Sequence, residues 1–296
     1  MSSGSLLDSF GVSIFTRFWE IPNPKGAVIV VHGASEHSGR YERFALALNA
    51  AGYNVGALDQ RGHGVTGALT GVGQTGEGGG DAFLADVQLV RDELLRRSGD
   101  VPMVLFGHSL GTIISLAYLG RHAAGLAGVI LSGLPANPTE AEASAAFMHE
   151  LVASGLRDVP LEELVAGAND HLPQPPRTNY DWLSRDEAEV DAYLADPYCG
   201  DQNPLTYGLL DDILGVAAPA LTRLGEIPCD VLLITGDHDP TAALGANPAI
   251  LAELLTDAGV SVTSRLYPGA RHELLNELNR DDVTADVVAW LTAHVA

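Results

Sequence analysis

The chain has 296 residues, room for one large α/β domain with an insertion or for two average domains. Hydrophobic residues make up 46% and charged residues 18%, which supports a substantial core and excludes global disorder. Sixteen Lys and Arg against 38 Asp and Glu give a formal charge of −22, a surface that repels phosphate backbones and anionic lipid and so argues against a nucleic-acid partner. In chain order, Met1 to Phe10 has neither the basic region nor the apolar stretch of a signal peptide. Val12 to Trp19 reads as the first strand. Ala27 to His32 reads as a buried central strand, and its purely apolar part, Ala27 to Val31, is far short of the roughly 20 residues that span a bilayer. The expectation is a soluble cytoplasmic protein without stable membrane insertion.

A helix is expected over Arg40 to Ala51, with Tyr41, Phe44, Ala45 and Leu48 on one face and Gly52 as its stop. Tyr53 to Leu58 is the next strand. Asp81 to Arg97 carries Phe83, Val87, Val90 and Leu94 on one stripe and stops at Gly99. Strands follow at Val101 to Phe106 and Ala127 to Ser132, with a helix from Leu110 to Arg121 between them. This alternation means a mostly parallel sheet with helices on both faces. From about Leu134 to Leu205 no strand is expected, only helical pieces. Phe147, Met148, Leu151 and Val152 form an apolar stripe, Ser184 and Glu187 a capping box, and His171 to Pro176 a proline-rich linker. The region reads as a helical cap (134–205) inserted into a core domain made of 1–133 and 206–296. Val231 to Thr235, a helix opened by Asn247-Pro248, the strand Val260 to Tyr267 and the helix Asp281 to Val295 complete the pattern. Cys199 and Cys229 show no metal-binding spacing and read as free thiols, with one disulfide left open.

Gly107-His108-Ser109-Leu110-Gly111 follows a strand and opens a helix, the context of a nucleophile elbow. The alternative is an ordinary strand-to-helix turn in which Ser109 is only a helix cap. A serine nucleophile needs a base, and the base needs an orienting carboxylate. Asp237 and Asp239 follow the strand Val231 to Thr235, and His272 follows the last strand, which gives the order serine, acid, histidine. For an oxyanion hole, the Leu110 amide lies directly after the nucleophile, and Ala34 is the candidate in the loop after the central strand. Gly71 to Gly76 satisfies G-x-G-x-x-G, but no strand runs into it. It reads as a mobile surface loop, with Arg61 and His63 bonding backbone groups of that turn rather than acting in catalysis.

His32 to Tyr41 (HGASEHSGRY) resembles the signature of the monoglyceride lipase and lysophospholipase group of α/β-hydrolases. So do Asp59 to Gly64 (DQRGHG), Gly107 to Gly111, Ser184-Arg185-Asp186 and Gly236 to Pro240 (GDHDP). The resemblance runs from about residue 25 to the end. It implies the α/β-hydrolase fold, Asp239 as the acid from the G-x-x-D pattern, Ala34 and Leu110 as the oxyanion hole, and a mobile cap that shapes an acyl-chain pocket. On the apolar stripe of this cap, Phe147, Met148 and Leu151 are the candidate substrate contacts, with packing onto the sheet domain as ordinary core the alternative. Ser35 stands where a glycine is common in the group, and Gly155 to Pro176 matches no part of the pattern. The expected chemistry is hydrolysis of a small acyl ester through an acyl-enzyme, with no cofactor or metal. A serine at 109 disfavours the aspartate-nucleophile chemistry of the same fold. An amidase or peptidase, an acyltransferase, and a non-catalytic ligand receptor remain as alternatives.

Overall fold

The computed structural model describes residues 1–161 and 167–295. Its eight strands are β1 (Ser2–Leu7), β2 (Ser13–Trp19), β3 (Gly26–Val31), β4 (Tyr53–Leu58), β5 (Met103–His108), β6 (Gly128–Ser132), β7 (Asp230–Gly236) and β8 (Val262–Tyr267). They form one sheet in the order β1-β2-β4-β3-β5-β6-β7-β8. β1 and β2 run antiparallel to their neighbours, and every pairing from β4 to β8 is parallel. The side-chain period of two divides β3 cleanly between two cores. Ala27, Ile29 and Val31 join the cluster on one face, and Val28 and Val30 the cluster on the other. Burial on both faces is why β3 reads as an unbroken apolar run.

Nine α-helices connect and cover the strands among the described residues: α1 (Glu42–Ala50), α2 (Gly64–Thr70), α3 (Gly79–Ser98), α4 (Leu110–His122), α5 (Ala141–Leu151), α6 (Glu187–Ala195), α7 (Tyr207–Ala217), α8 (Ala246–Asp257) and α9 (Arg280–His294). The segment between β6 and α7 holds α5 and α6 and has two different attachments. Met148 and Leu205 belong to the core cluster that contains α4 and α7. Residues from Ala168 to Cys199, including Tyr180, Trp182 and Tyr193, form a small core of their own. Pro160 and Thr206 meet in an isolated antiparallel bridge.

Four expectations are corrected. β1 precedes the expected first strand; Ser2–Leu7 is mostly exposed on the sheet edge, so no apolar alternation announces it. The helix α2 lies between β4 and the glycine-rich loop. That loop is held rather than hanging free, because Thr206 Oγ1 donates to Gly73 O at 2.6 Å and Arg61 Nη1 donates to Thr75 O at 3.1 Å. The N-cap of α6 is Asp186, which accepts from the Ala188 amide at 3.1 Å. Ser184 instead donates to Asn276 O at 2.8 Å, tying this segment to the loop after β8. Both cysteines are free, in agreement with the reading of the sequence. As expected, Arg61 and His63 serve the turn. Arg61 is buried and paired with Asp86 (2.7 Å) and Asp8, while His63 Nδ1 meets Arg61 O at 2.9 Å.

Candidate active site

Three loops at the carboxyl ends of β5, β7 and β8 bring Ser109, Asp239 and His272 to one place, where parallel sheets put their sites. Ser109 has φ +51° and ψ −121°, a strained backbone that non-glycine residues rarely adopt. The turn closes because its neighbours lack side chains. A Cβ on Gly111 would sit 2.1 Å from Val31 O, and one on Gly107 2.5 Å from Gly111 O. The Ser109 side chain makes no capping bond to α4, so the plain helix-cap alternative fails. Ser109 instead lines a cavity of about 1190 Å³ that His272 also lines.

His272 is buried, and its Nδ1 lies 2.8 Å from Asp239 Oδ2. The other oxygen of Asp239 accepts from the Thr241 hydroxyl (2.8 Å), the Thr241 amide (3.0 Å) and the Ala242 amide (3.2 Å). Burial alone would raise the Asp239 carboxyl, but the His272 imidazole and these donors hold it below the usual carboxylate range. Burial pulls His272 down, yet Asp239's charge and hydrogen bond outweigh it and raise His272 above 6.5. Thr241 Oγ1 also lies 2.9 Å from His272 Nδ1. The imidazole is flanked by the rings of His108 (4.8 Å between centroids) and Trp182 (5.1 Å). Asp237 turns elsewhere, meeting His238 Nδ1 and the Gly269 amide, both at 2.6 Å.

Ala34 and Leu110 line the same cavity beside Ser109, and neither amide meets an acceptor among the described residues. The Ala34 loop is braced from beneath. Glu36 accepts from the Gly33 amide (2.6 Å), the Tyr41 hydroxyl (2.9 Å) and Arg40 (3.0 Å). Arg40 in turn grips Glu273, the neighbour of His272, through two bonds of 2.5 and 2.7 Å. Sequence spacing gave no sign of Thr241 or of this Glu36–Arg40–Glu273 brace.

Of the three candidate substrate contacts, Phe147 and Met148 line the cavity and Leu151 does not. Leu151 ends α5, one helical turn beyond Phe147, which carries it past the wall. Met148 is also packed into the main core, whereas Phe147 is 61% exposed. Among the described residues, one donor group suited to a metal is found: His37, Asp196 and Cys199. His37 Nε2 already donates to Asp196 at 3.0 Å, and burial pushes the Cys199 thiol up, so the group stands as a hydrogen-bonded pair beside a protonated thiol.

A mostly parallel sheet with helices on both faces and a strained serine on the turn after its central strand β5 is the architecture of an α/β-hydrolase. Residues 22–279 match the family described as serine aminopeptidase, S33, and the chain belongs to that family. It is 29% identical over 293 residues to a monoacylglycerol lipase of Mycolicibacterium smegmatis, covering 96% of this chain and 95% of that one. It is 28% identical to a monoglyceride lipase of Mus musculus, covering 98% and 90%. A thermostable carboxyl esterase of Bacillus coagulans, solved in complex with glycerol, superposes with a TM-score of 0.91 at 29% identity, over 100% of this chain and 99% of that one. The chain is a serine hydrolase of the esterase and lipase type, in the monoglyceride lipase-like group. No described helix is long and apolar enough to cross a membrane.

Proposed function

We propose that the chain hydrolyses single-chain acyl esters, such as monoacylglycerols or lysophospholipids, with Ser109 as nucleophile, His272 as base and Asp239 as the acid that orients it. The supporting observation is the pairing of buried His272 with Asp239 at 2.8 Å on the wall of the cavity that Ser109 also lines. With Nδ1 committed to Asp239, Nε2 is the proton acceptor. Ser109 Oγ attacks the ester carbonyl and gives its proton to Nε2, while the Leu110 and Ala34 amides hold the oxyanion. The carbon–oxygen bond to the alcohol then breaks as Nε2 returns the proton to it. Water repeats the sequence on the acyl-enzyme and frees Ser109.

The cavity supports the single-chain reading. Its wall is apolar at Ile113, Leu161, Leu210 and Leu214 and polar at Asn137 and Asn179, which suits an acyl chain joined to a hydrated alcohol. Its volume exceeds the roughly 300–1,000 Å³ typical of small-molecule sites. Residues 134–205, of which 162–166 lie outside the described residues, form the cap of this site in our reading. The test is kcat/KM over a series of monoacyl esters of increasing chain length, with Ser109→Ala as control. Each methylene taken into the apolar part should add about 0.8 kcal/mol, so four should raise kcat/KM roughly a hundredfold or more before a plateau. A flat profile would rule out the acyl channel.

A further inference from the structure

Ser35 stands next to the proposed oxyanion donor Ala34 and carries φ +54°, in the left-handed region that favours glycine. Something must hold a serine there, and the holding groups come from the helical segment. The Tyr193 hydroxyl, on α6, donates to Ser35 O at 2.9 Å, and the Gly200 amide donates to the same oxygen at 3.0 Å. Two residues back, the Gly33 amide is fixed by Glu36 at 2.6 Å. The Ala34 amide therefore lies on a short arc clamped at both ends, one end by the core and the other by the helical segment. The two clamps share a residue. Arg40, which bonds Glu36, also lies over the Tyr193 ring at 4.8 Å from its centroid. Tyr193 is buried, and that burial keeps its phenol protonated and able to donate.

We propose that Tyr193 is a positioning residue that aims the Ala34 amide by holding Ser35 in its left-handed conformation, so that the oxyanion hole is complete only when α6 is docked. The proposal rests on the serine-esterase reading above. Tyr193 lines the same cavity, but its hydroxyl is spent on Ser35 O, so its role here is exerted through Ser35. A chain with glycine at 35 would enter the left-handed region without help and need the anchor less.

Tyr193→Phe keeps the ring over Arg40 and removes only the hydroxyl. It, Ser35→Gly and the double variant are compared on an acetate ester, too short to report on an acyl channel. Removing an oxyanion donor outright typically costs about 10²–10³ in kcat. A donor left in place but misaimed should cost less, about tenfold, with KM changing less than about twofold. Binding of a short trifluoromethyl ketone, whose hemiketal with serine carries the oxyanion, should weaken by the same factor. Ser35→Gly alone should stay close to the parent, and in the double variant it should restore most of what Tyr193→Phe lost. A Tyr193→Phe chain with unchanged kcat and a lowered melting temperature overturns the proposal. So does a loss that Ser35→Gly leaves intact, which would place Tyr193 against the substrate instead. Failure of the esterase reading looks different: the parent chain would turn over no ester and take up no trifluoromethyl ketone.

Discussion

His272 Nδ1 lies 2.8 Å from Asp239 Oδ2, while Asp237, two residues earlier, meets His238 and the Gly269 amide instead. The two carboxylates are therefore not interchangeable. Asp239→Asn should lower kcat by about 10⁴, since an amide cannot hold the same imidazole tautomer. Asp237→Asn should lose well under tenfold. Measuring kcat for both folded variants decides the assignment, and a crippled Asp237→Asn beside a near-normal Asp239→Asn would reverse it.

The same pairing sets a pH dependence. In the proposed mechanism His272 must be neutral to accept the serine proton. Burial pulls its pKa down, but Asp239 holds it above 6.5. The acid limb of kcat/KM should therefore have its midpoint above pH 6.5, and activity should fall below it. Asp239→Asn removes the largest raising influence and leaves burial opposed only by the smaller pull of Glu273 and Glu36, so the limb of its residual activity should move to lower pH. The linked stability has the opposite sense. A raised imidazole favours the folded chain most below about pH 6.5, and that contribution is lost as pH climbs through the folded value. An unshifted limb in Asp239→Asn would mean another group governs it.

Arg61 is buried between Asp8 and Asp86, and joins the β1–β2 connection to α3 beneath the glycine-rich loop. Arg61→Met strands two buried carboxylates and should cost about 3–5 kcal/mol in urea unfolding. A loss under about 1 kcal/mol would show that the pair is solvated or replaced.

Gly111→Ala tests the elbow itself. Its Cβ would collide with Val31 O at 2.1 Å, a backbone atom that cannot rotate aside, so β3 and α4 must part. The variant should either fail to fold or fold with the Ser109 turn displaced and kcat down by more than tenfold, as a displacement of about 1 Å can cost a hundredfold. Full activity at the parent's melting temperature would contradict the close approach.

What the sequence disclosed and what it hid follow one physical division. β4 (Tyr53–Leu58) is legible to the residue because both of its faces are buried. β1 is not, since an exposed edge strand needs no apolar pattern. Ser109, Asp239 and His272 could be picked out as candidates because each follows a strand in a fixed chain order. Thr241 could not, because its contact depends on how the turn after β7 folds back on Asp239. Arg40 and Glu273 are 233 positions apart, and no periodicity marks two residues that meet only in the folded molecule. Phe147, Met148 and Leu151 read as one stripe, but the cavity wall is shorter than the stripe, and Leu151 falls beyond it.

The most direct test of the account is covalent labelling of Ser109. A fluorophosphonate probe followed by peptide mass spectrometry should place one adduct on Ser109, and ester turnover should fall in step with labelling. Ser109→Ala should take up no probe and lose at least about 10⁴ in kcat while melting like the parent chain. An adduct on a different serine, or an alanine variant that still turns over ester at the parent's rate, would contradict the account.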